Sequence, residues 1–340
     1  MTAPDGSTDL VDPPPSRRPN GPSRSFRVKL DWLERYSGLF IWAAIIVLFG
    51  ILEPVTFLTI ESARSVLDEQ AITAMMALGL LLPLAAGVFD LSIGATMGLA
   101  VMLCGWLQGI AHFSPIVAIA LTVLAGVLVG LVNGFVVVRL GVDSFIATLG
   151  MSSILLGVEE FINGGQQIVQ GISPSFTSLA TKQIFSITLP FFYMLMLGLF
   201  LWYITEYRQV GRYMYATGSN PDAARLAGVP TDHLKALGLV ASAVIASITG
   251  VVFLATVGSA STDAGTPYLL PAFAGVFLGA TQIKPGRVNV FGTLLAVYLL
   301  ATGVKGLQLA GAQAWVNDFF NGAALILAVG ISVRARRRRT

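Results

Sequence analysis

The sequence predicts an all-α polytopic membrane protein of about ten transmembrane helices, with both termini in the cytoplasm. Three observations carry this: the composition, a series of long apolar runs, and a one-sided distribution of basic residues. Hydrophobic residues make up 55% of the 340 positions and charged residues 11%, against roughly 25% charged in a soluble domain. Mean hydropathy is +0.76. The apolar runs fall near 36–52, 71–89, 91–111, 113–138, 144–158, 184–205, 236–257, 264–283, 288–304 and 315–333. A membrane helix needs about 20 residues, so the first, fifth and ninth runs borrow polar flanks or tilt little. The runs are continuously apolar rather than alternating with period two, which predicts helices and not a barrel. With the N-terminus inside, 18 of the 21 basic residues fall on inner segments, and only Arg64, Lys182 and Lys305 fall outside. That asymmetry satisfies the positive-inside rule and requires an even number of spans.

Taken in order, residues 1–37 are polar and rich in Pro, Ser and Arg, and read as a disordered cytoplasmic tail rather than a secretory signal. Trp32 and Tyr36 suit the interfacial aromatic belt ahead of the first span. The membrane-spanning region occupies 38–333, and the basic segment 334–340 reads as a stop and orientation signal against anionic headgroups. Glycines four apart (Gly94 and Gly98; Gly126, Gly130 and Gly134; Gly275 and Gly279) predict helix faces that pack closely. Cys104 is the single cysteine and lies in an apolar run, so it reads as a small buried hydrophobe and no disulfide framework exists.

Residues 207–235 form the longest hydrophilic segment between apolar runs, and the charge asymmetry places them in the cytoplasm. A short helix is legible inside it. Asn220 is a good N-cap, Pro221 suits the first helical position, and Asp222 favours the positive end of the helix dipole. Ala223, Ala224, Arg225, Leu226 and Ala227 are helix formers; Gly228 stands where a left-handed cap is needed, and Pro230 stops the helix. Thr231 or Asp232 is available to cap the next span. A capped rod between two spans is suited to being pushed by a cytoplasmic partner, and equally reads as a loop helix with none.

Asp90 is the most informative acid. It lies in LLLPLAAGVFDLSIGATMG, where Pro83, Gly87 and Gly94 discourage a continuous helix. Either it caps a short cytoplasmic turn, with Ser92 capping the restarting helix or bonding Asp90, or the segment is a broken helix beside a transport path. Asn133 and Thr148 read as ties between helices, or as donors and acceptors suited to a polyhydroxyl solute, as do Asn163, Gln166, Gln167 and Gln170. Glu159, Glu160 and Asp318 read as solvated residues at span ends. The match of LLPLAAGVF at 81–89 with LLPAFAGVF at 269–277 reads as coincidence within a small apolar alphabet.

An enzyme is poorly supported. His112 and His233 lack the spacing of a metal site, and neither a GxSxG elbow nor a GxxxxGK[ST] phosphate loop is present, so by that route the chain hydrolyses no ATP. Basic residues are strung around spans rather than gathered on one face, which argues against nucleic acid as a partner.

Four stretches resemble the permease subunits of ribose-type bacterial sugar importers of the ATP-binding-cassette superfamily: FDLSIG at 89–94, NGFVVVRLGVDSFIATLG at 133–150, GRYMYATGSNPDAARLAGV at 211–229, and GRVNVFGTLLAVYLL at 286–300. The resemblance covers roughly 40–333, and it departs from the family at Phe89, where a small aliphatic residue is more usual. It implies an inner-membrane subunit that pairs with a second permease, usually a copy of itself. Two cytoplasmic ATPase subunits would hold the ATP and Mg, with no cofactor on this chain, and an extracytoplasmic binding protein would deliver a monosaccharide or related polyol. It also implies that 220–228 is the coupling helix, with Asn220, Pro221, Asp222, Ala224, Arg225, Leu226 and Gly228 at the ATPase contact. Asp90, Ser92, Gly94, Asn133 and Thr148 are the candidate pathway or broken-helix residues. Beside the importer, an ion-coupled secondary transporter of a small polar solute is the other expectation, for which Asp90 is the one embedded acid on offer.

Overall fold

A computed structural model describes residues 24–313 and 315–337 of the chain. Thirteen helices follow in order: α1 (Arg24–Leu52), α2 (Ile60–Ala85), α3 (Ile93–Gly109), α4 (Pro115–Val138), α5 (Ser144–Asn163), α6 (Pro174–Thr181), α7 (Leu189–Tyr207), α8 (Gln209–Ser219), α9 (Pro221–Leu226), α10 (Thr231–Val257), α11 (Leu269–Gly279), α12 (Val290–Leu309) and α13 (Trp315–Arg337). A two-stranded hairpin, β1 (Gln183–Ile184) and β2 (Ile187–Thr188), joins α6 to α7.

Helix α2 is the axis of the bundle. From Ala71 to Leu82 every residue is buried, and α7, α8, α10, α11 and α12 all pack on it. Its start is fixed by Thr59, whose hydroxyl accepts the Ser62 N–H at 3.1 Å. Helix α10 bridges α2, α3 and α4. It approaches α4 closely along Gly126, Gly130 and Gly134, whose absent side chains admit Ser247, Val240 and Ala236. Helices α4, α5 and α7 instead leave apolar side chains such as Ile116, Leu131, Ile154 and Phe200 exposed. That pattern suits hydrocarbon on the far side rather than water.

Among the described residues, six helices are long and apolar enough to cross a membrane: α2, α4, α5, α7, α10 and α12. Shorter apolar helices span Tyr36–Leu52, Ile93–Gly109 and Thr266–Gly279. Several sequence expectations are corrected here. The tail expected through residue 37 is helical from Arg24, and α13 carries the helix through Arg337 into the expected basic tail; residues 1–23 and 338–340 lie outside the described residues. The run at 184–205 begins as the hairpin, and α7 starts only at Leu189; Asp68 on α2 ties the hairpin down, its Oδ1 accepting both the N–H (2.9 Å) and the hydroxyl (2.8 Å) of Thr188. The run at 264–283 is no single span. A 3-10 turn at Thr266–Tyr268 leads into α11, which ends at Gly279, and an irregular loop follows to Asn289. Gly265 abuts the backbone of Gly94, and Gly279 that of Thr293, so close backbone approach takes the place of helix length.

Candidate functional site

The described structure brings three of the four polar candidates together around Asp90, and the fourth joins through the backbone. Helix α2 stops at Ala85, and Ala86 to Ser92 form a turn before α3 begins. Gly87, at φ +80°, makes the reversal that a side chain would resist. Asp90 is fully buried in that turn. Its Oδ1 accepts the Ser92 hydroxyl at 2.6 Å and the Ser92 N–H at 3.1 Å. Ser92 therefore bonds Asp90 and caps nothing with its side chain. Its own hydroxyl accepts Asn133 Nδ2 of α4 at 2.8 Å. The backbone N–H of Leu91 donates to Thr148 Oγ1 at 3.0 Å, and that of Phe89 donates to Ser144 Oγ at 3.1 Å, both on α5. One turn thus ties the ends of α2 and α3 to α4 and α5. Ser242 of α10 faces the same carboxylate, and Asp90 Oδ2 has no hydrogen bond among the described residues. Gly94 is not in this cluster: it faces Gly265 and Leu269 and makes room for them.

The same turn meets the polar segment. Gly218, near the end of α8, lies against Ala85 and Gly87. A methyl group on Gly87 would come within 2.9 Å of Gly218 Cα, and one on Gly218 would collide with the Ala85 carbonyl oxygen. Helix α8 was not foreseen as an element of its own in 207–235. It is also held from the other side: the Tyr215 hydroxyl donates to Val288 O at 2.8 Å, and the Arg287 guanidinium lies over the Tyr215 ring at 4.5 Å. Burial pushes the Tyr215 phenol up from its ordinary pKa and so keeps it a donor, against the opposing pull of Arg287. Glu206 at the end of α7 pairs with both Lys284 and Arg287, the latter at 2.6 Å. Asn289, a residue the sequence did not single out, stitches the loop before α12. Its Oδ1 accepts Gly292 N–H at 2.8 Å, and its Nδ2 reaches the carbonyls of Gly279, Gln282 and Arg287. Its one sequence signal was a good N-cap immediately ahead of an apolar run.

Helix α9 follows α8 directly. Asn220 Oδ1 accepts the Ala223 N–H at 3.0 Å, Pro221 occupies the first position and Asp222 the first turn. At the other end Gly228 takes φ +82°. Val229 N–H donates to Ala224 O and Gly228 N–H to Arg225 O, both at 3.0 Å, which is the Schellman arrangement. Ala224 is buried on the protein side, whereas Leu226 is 91% exposed. Arg225 and Asp232 pair at 2.8 Å across an exposed surface. Neither Thr231 nor Asp232 caps α10, which starts after Pro230 without a side-chain cap; Asp232 is engaged by Arg225 instead.

The polar candidates at 163–170 are partly engaged: Asn163 Nδ2 donates to Gln166 O and Gln167 Nε2 to Ser259 Oγ, while Ile168 pairs with Ala260 as a bridge. Glu159 contradicts its expected solvation. It is fully buried, one oxygen accepting the Asp263 N–H at 2.9 Å, with Gly98 leaving the space its carboxylate fills. Glu160, the next residue, is exposed as expected.

With this geometry in hand, comparison with known proteins is decisive. Residues 63–329 match the family profile described as branched-chain amino acid transport system / permease component. The chain belongs to this permease family. Among relatives, the ribose import permease protein RbsC of Escherichia coli (strain K12) is 30% identical over 301 residues, covering 88% of this chain and 93% of the relative. The D-allose transport system permease protein AlsC of the same strain is 28% identical over 309 residues, covering 91% and 94%. The autoinducer 2 import system permease protein LsrD of Photorhabdus laumondii is 29% identical over 308 residues, covering 87% and 91%. No solved structure shows a significant match. The permease is accordingly a multi-pass protein of the bacterial inner membrane, and the resemblance read from its four motifs stands.

Proposed function

We propose that this permease is the membrane-spanning subunit of an ATP-driven importer and forms the path for a monosaccharide or related polyol. Relatives named for ribose and D-allose import support the substrate class. The observation that carries the mechanism is the contact of Gly218 with Gly87, because it joins the capped helix α9 to the turn holding Asp90. In this reading ten helices cross the membrane with both termini inside, and the basic-residue asymmetry puts α8 and α9 in the cytoplasm. ATPase subunits, which hold the ATP and Mg, dock on α9 around exposed Leu226. A second copy of the permease completes the path, and an extracytoplasmic binding protein delivers the sugar and sets specificity.

Closure of the ATPase pair displaces α9, and α8 carries the displacement to residues 85–87. Hydrogen bonds to Ser144, Thr148 and Asn133 then move the adjoining ends of α4 and α5. Proteoliposomes holding the assembled complex test this. Uptake should require ATP on the ATPase side and survive a protonophore.

A second reading, an ion-coupled transporter, draws on two carboxylates that are fully buried among the described residues, Asp90 and Glu159. They belong to separate clusters, near opposite ends of α5, rather than to one relay. Uptake that persists without ATP and collapses with the protonophore would favour it.

A further inference from the structure

Helices α7 and α10 both pack on α2, yet between themselves they leave an apolar slot of about 910 Å³. Phe200 and Met196 on one wall, and Val244 and Ile248 on the other, face it, with Met75 and Leu82 as its floor. Phe176 and Leu179 of α6 line one end, and α6 packs on both walls there. At the other end stands Arg208, the one charged residue of the lining, at the corner between α7 and α8. Arg208 is in no salt bridge among the described residues; its neighbour Glu206 is taken by Lys284 and Arg287. Its guanidinium lies 5.8 Å from the centre of the Tyr203 ring, at the rim.

We propose that this slot holds an anionic phospholipid, with an acyl chain running along α2 toward α6 and the phosphate on Arg208. The chemistry selects that occupant. Away from Arg208 the apolar side chains of the slot offer water no partners, so an unfilled slot would forfeit dispersion contacts along them, and hydrocarbon restores those contacts. A guanidinium at one end only fixes the direction of the lipid: a phosphate matches its paired donors, while the closed end admits a chain terminus. The lipid belongs to the leaflet on the α8 side. The inference stands apart from the transport reading, since it rests on the slot and on Arg208.

Native mass spectrometry of the purified full-length permease, offered phosphatidylglycerol or phosphatidylcholine of equal chain length, tests it. Wild type should retain phosphatidylglycerol roughly fivefold better, the scale of one basic residue at a membrane surface. Arg208→Glu should erase that preference, and Arg208→Lys should keep part of it. Val244→Trp, which fills the slot, should lower retention of both lipids while leaving Arg208 in place. Equal retention of the two lipids by wild type would overturn the proposal, as would a preference untouched by Arg208→Glu. Inorganic phosphate that displaces no lipid but raises the melting temperature equally in wild type and Val244→Trp would also overturn it, by showing a free-anion site. Crosslinking of a Val244→Cys variant into dimers would assign the slot to a second copy instead.

Discussion

Gly218 and Gly87 touch through backbone alone, so α8 and the turn before Asp90 meet with no compressible side chain between them. A side chain would flex under load; two backbones in van der Waals contact transmit it.

That contact predicts the behaviour of Gly218→Ala. The added methyl collides with a carbonyl, an overpacking defect on the order of 1–3 kcal/mol. The thermal midpoint of the purified permease should fall. In the assembled complex, sugar-stimulated ATP hydrolysis should fall much further than unstimulated hydrolysis. Equal loss of both rates would reject Gly218 as a transmitter and leave it a packing residue.

Asn220→Ala removes the N-cap of α9 at a cost of about 1 kcal/mol, while Asn220→Ser should keep most of it. Hydrogen exchange at the Ala223 amide reads this directly. It should quicken roughly fivefold in the alanine variant, with exchange in α2 unchanged. No change at Ala223 would mean that the cap contributes nothing.

Leu226 is nearly fully exposed on α9 and contributes little to the fold. Leu226→Asp should leave the melting temperature of the isolated permease within about 0.5 kcal/mol equivalent of wild type. It should nevertheless abolish co-purification of the ATPase subunits. Retained co-purification would remove Leu226 from the proposed docking surface.

Thr148→Val keeps the shape of the side chain but leaves the Leu91 N–H without its acceptor. The bond is part-buried, so the orphaned donor should cost toward the lower end of the roughly 1–3 kcal/mol of a buried one. Thr148→Ser should recover most of the loss, because it restores the oxygen. If valine and serine unfold at the same temperature, the bond is not holding the turn.

What could be read from the chain divides by the range of the interaction. Helix α9 was legible almost residue by residue, since Asn220, Pro221 and Gly228 act within one or two turns of themselves. Asp90, Ser92, Asn133 and Thr148 were each singled out, but their meeting depends on α2, α3, α4 and α5 converging, which no local pattern encodes. Glu159 was misread because an acid near the end of an apolar run resembles an interface residue. Its burial follows from Gly98 on another helix and from the Asp263 amide on a distant loop. The hairpin was absorbed into a span because Ile184 and Ile187 are as apolar as the helix after it. Helix α8 was missed as a unit because Met214 is the one large apolar residue on its buried side, Gly211 and Thr217 being small or polar.

Cys104 sits in the core with Gln108 Nε2 donating to its sulfur at 3.4 Å. As the chain has no other thiol, water-soluble maleimides should find nothing to modify on the native permease. Any cysteine introduced at the surface would then be its sole reactive handle. A single-cysteine scan through α8, α9 and the loops between α5 and α7 needs no cysteine-free background, and could report sidedness and displacement from one set of variants.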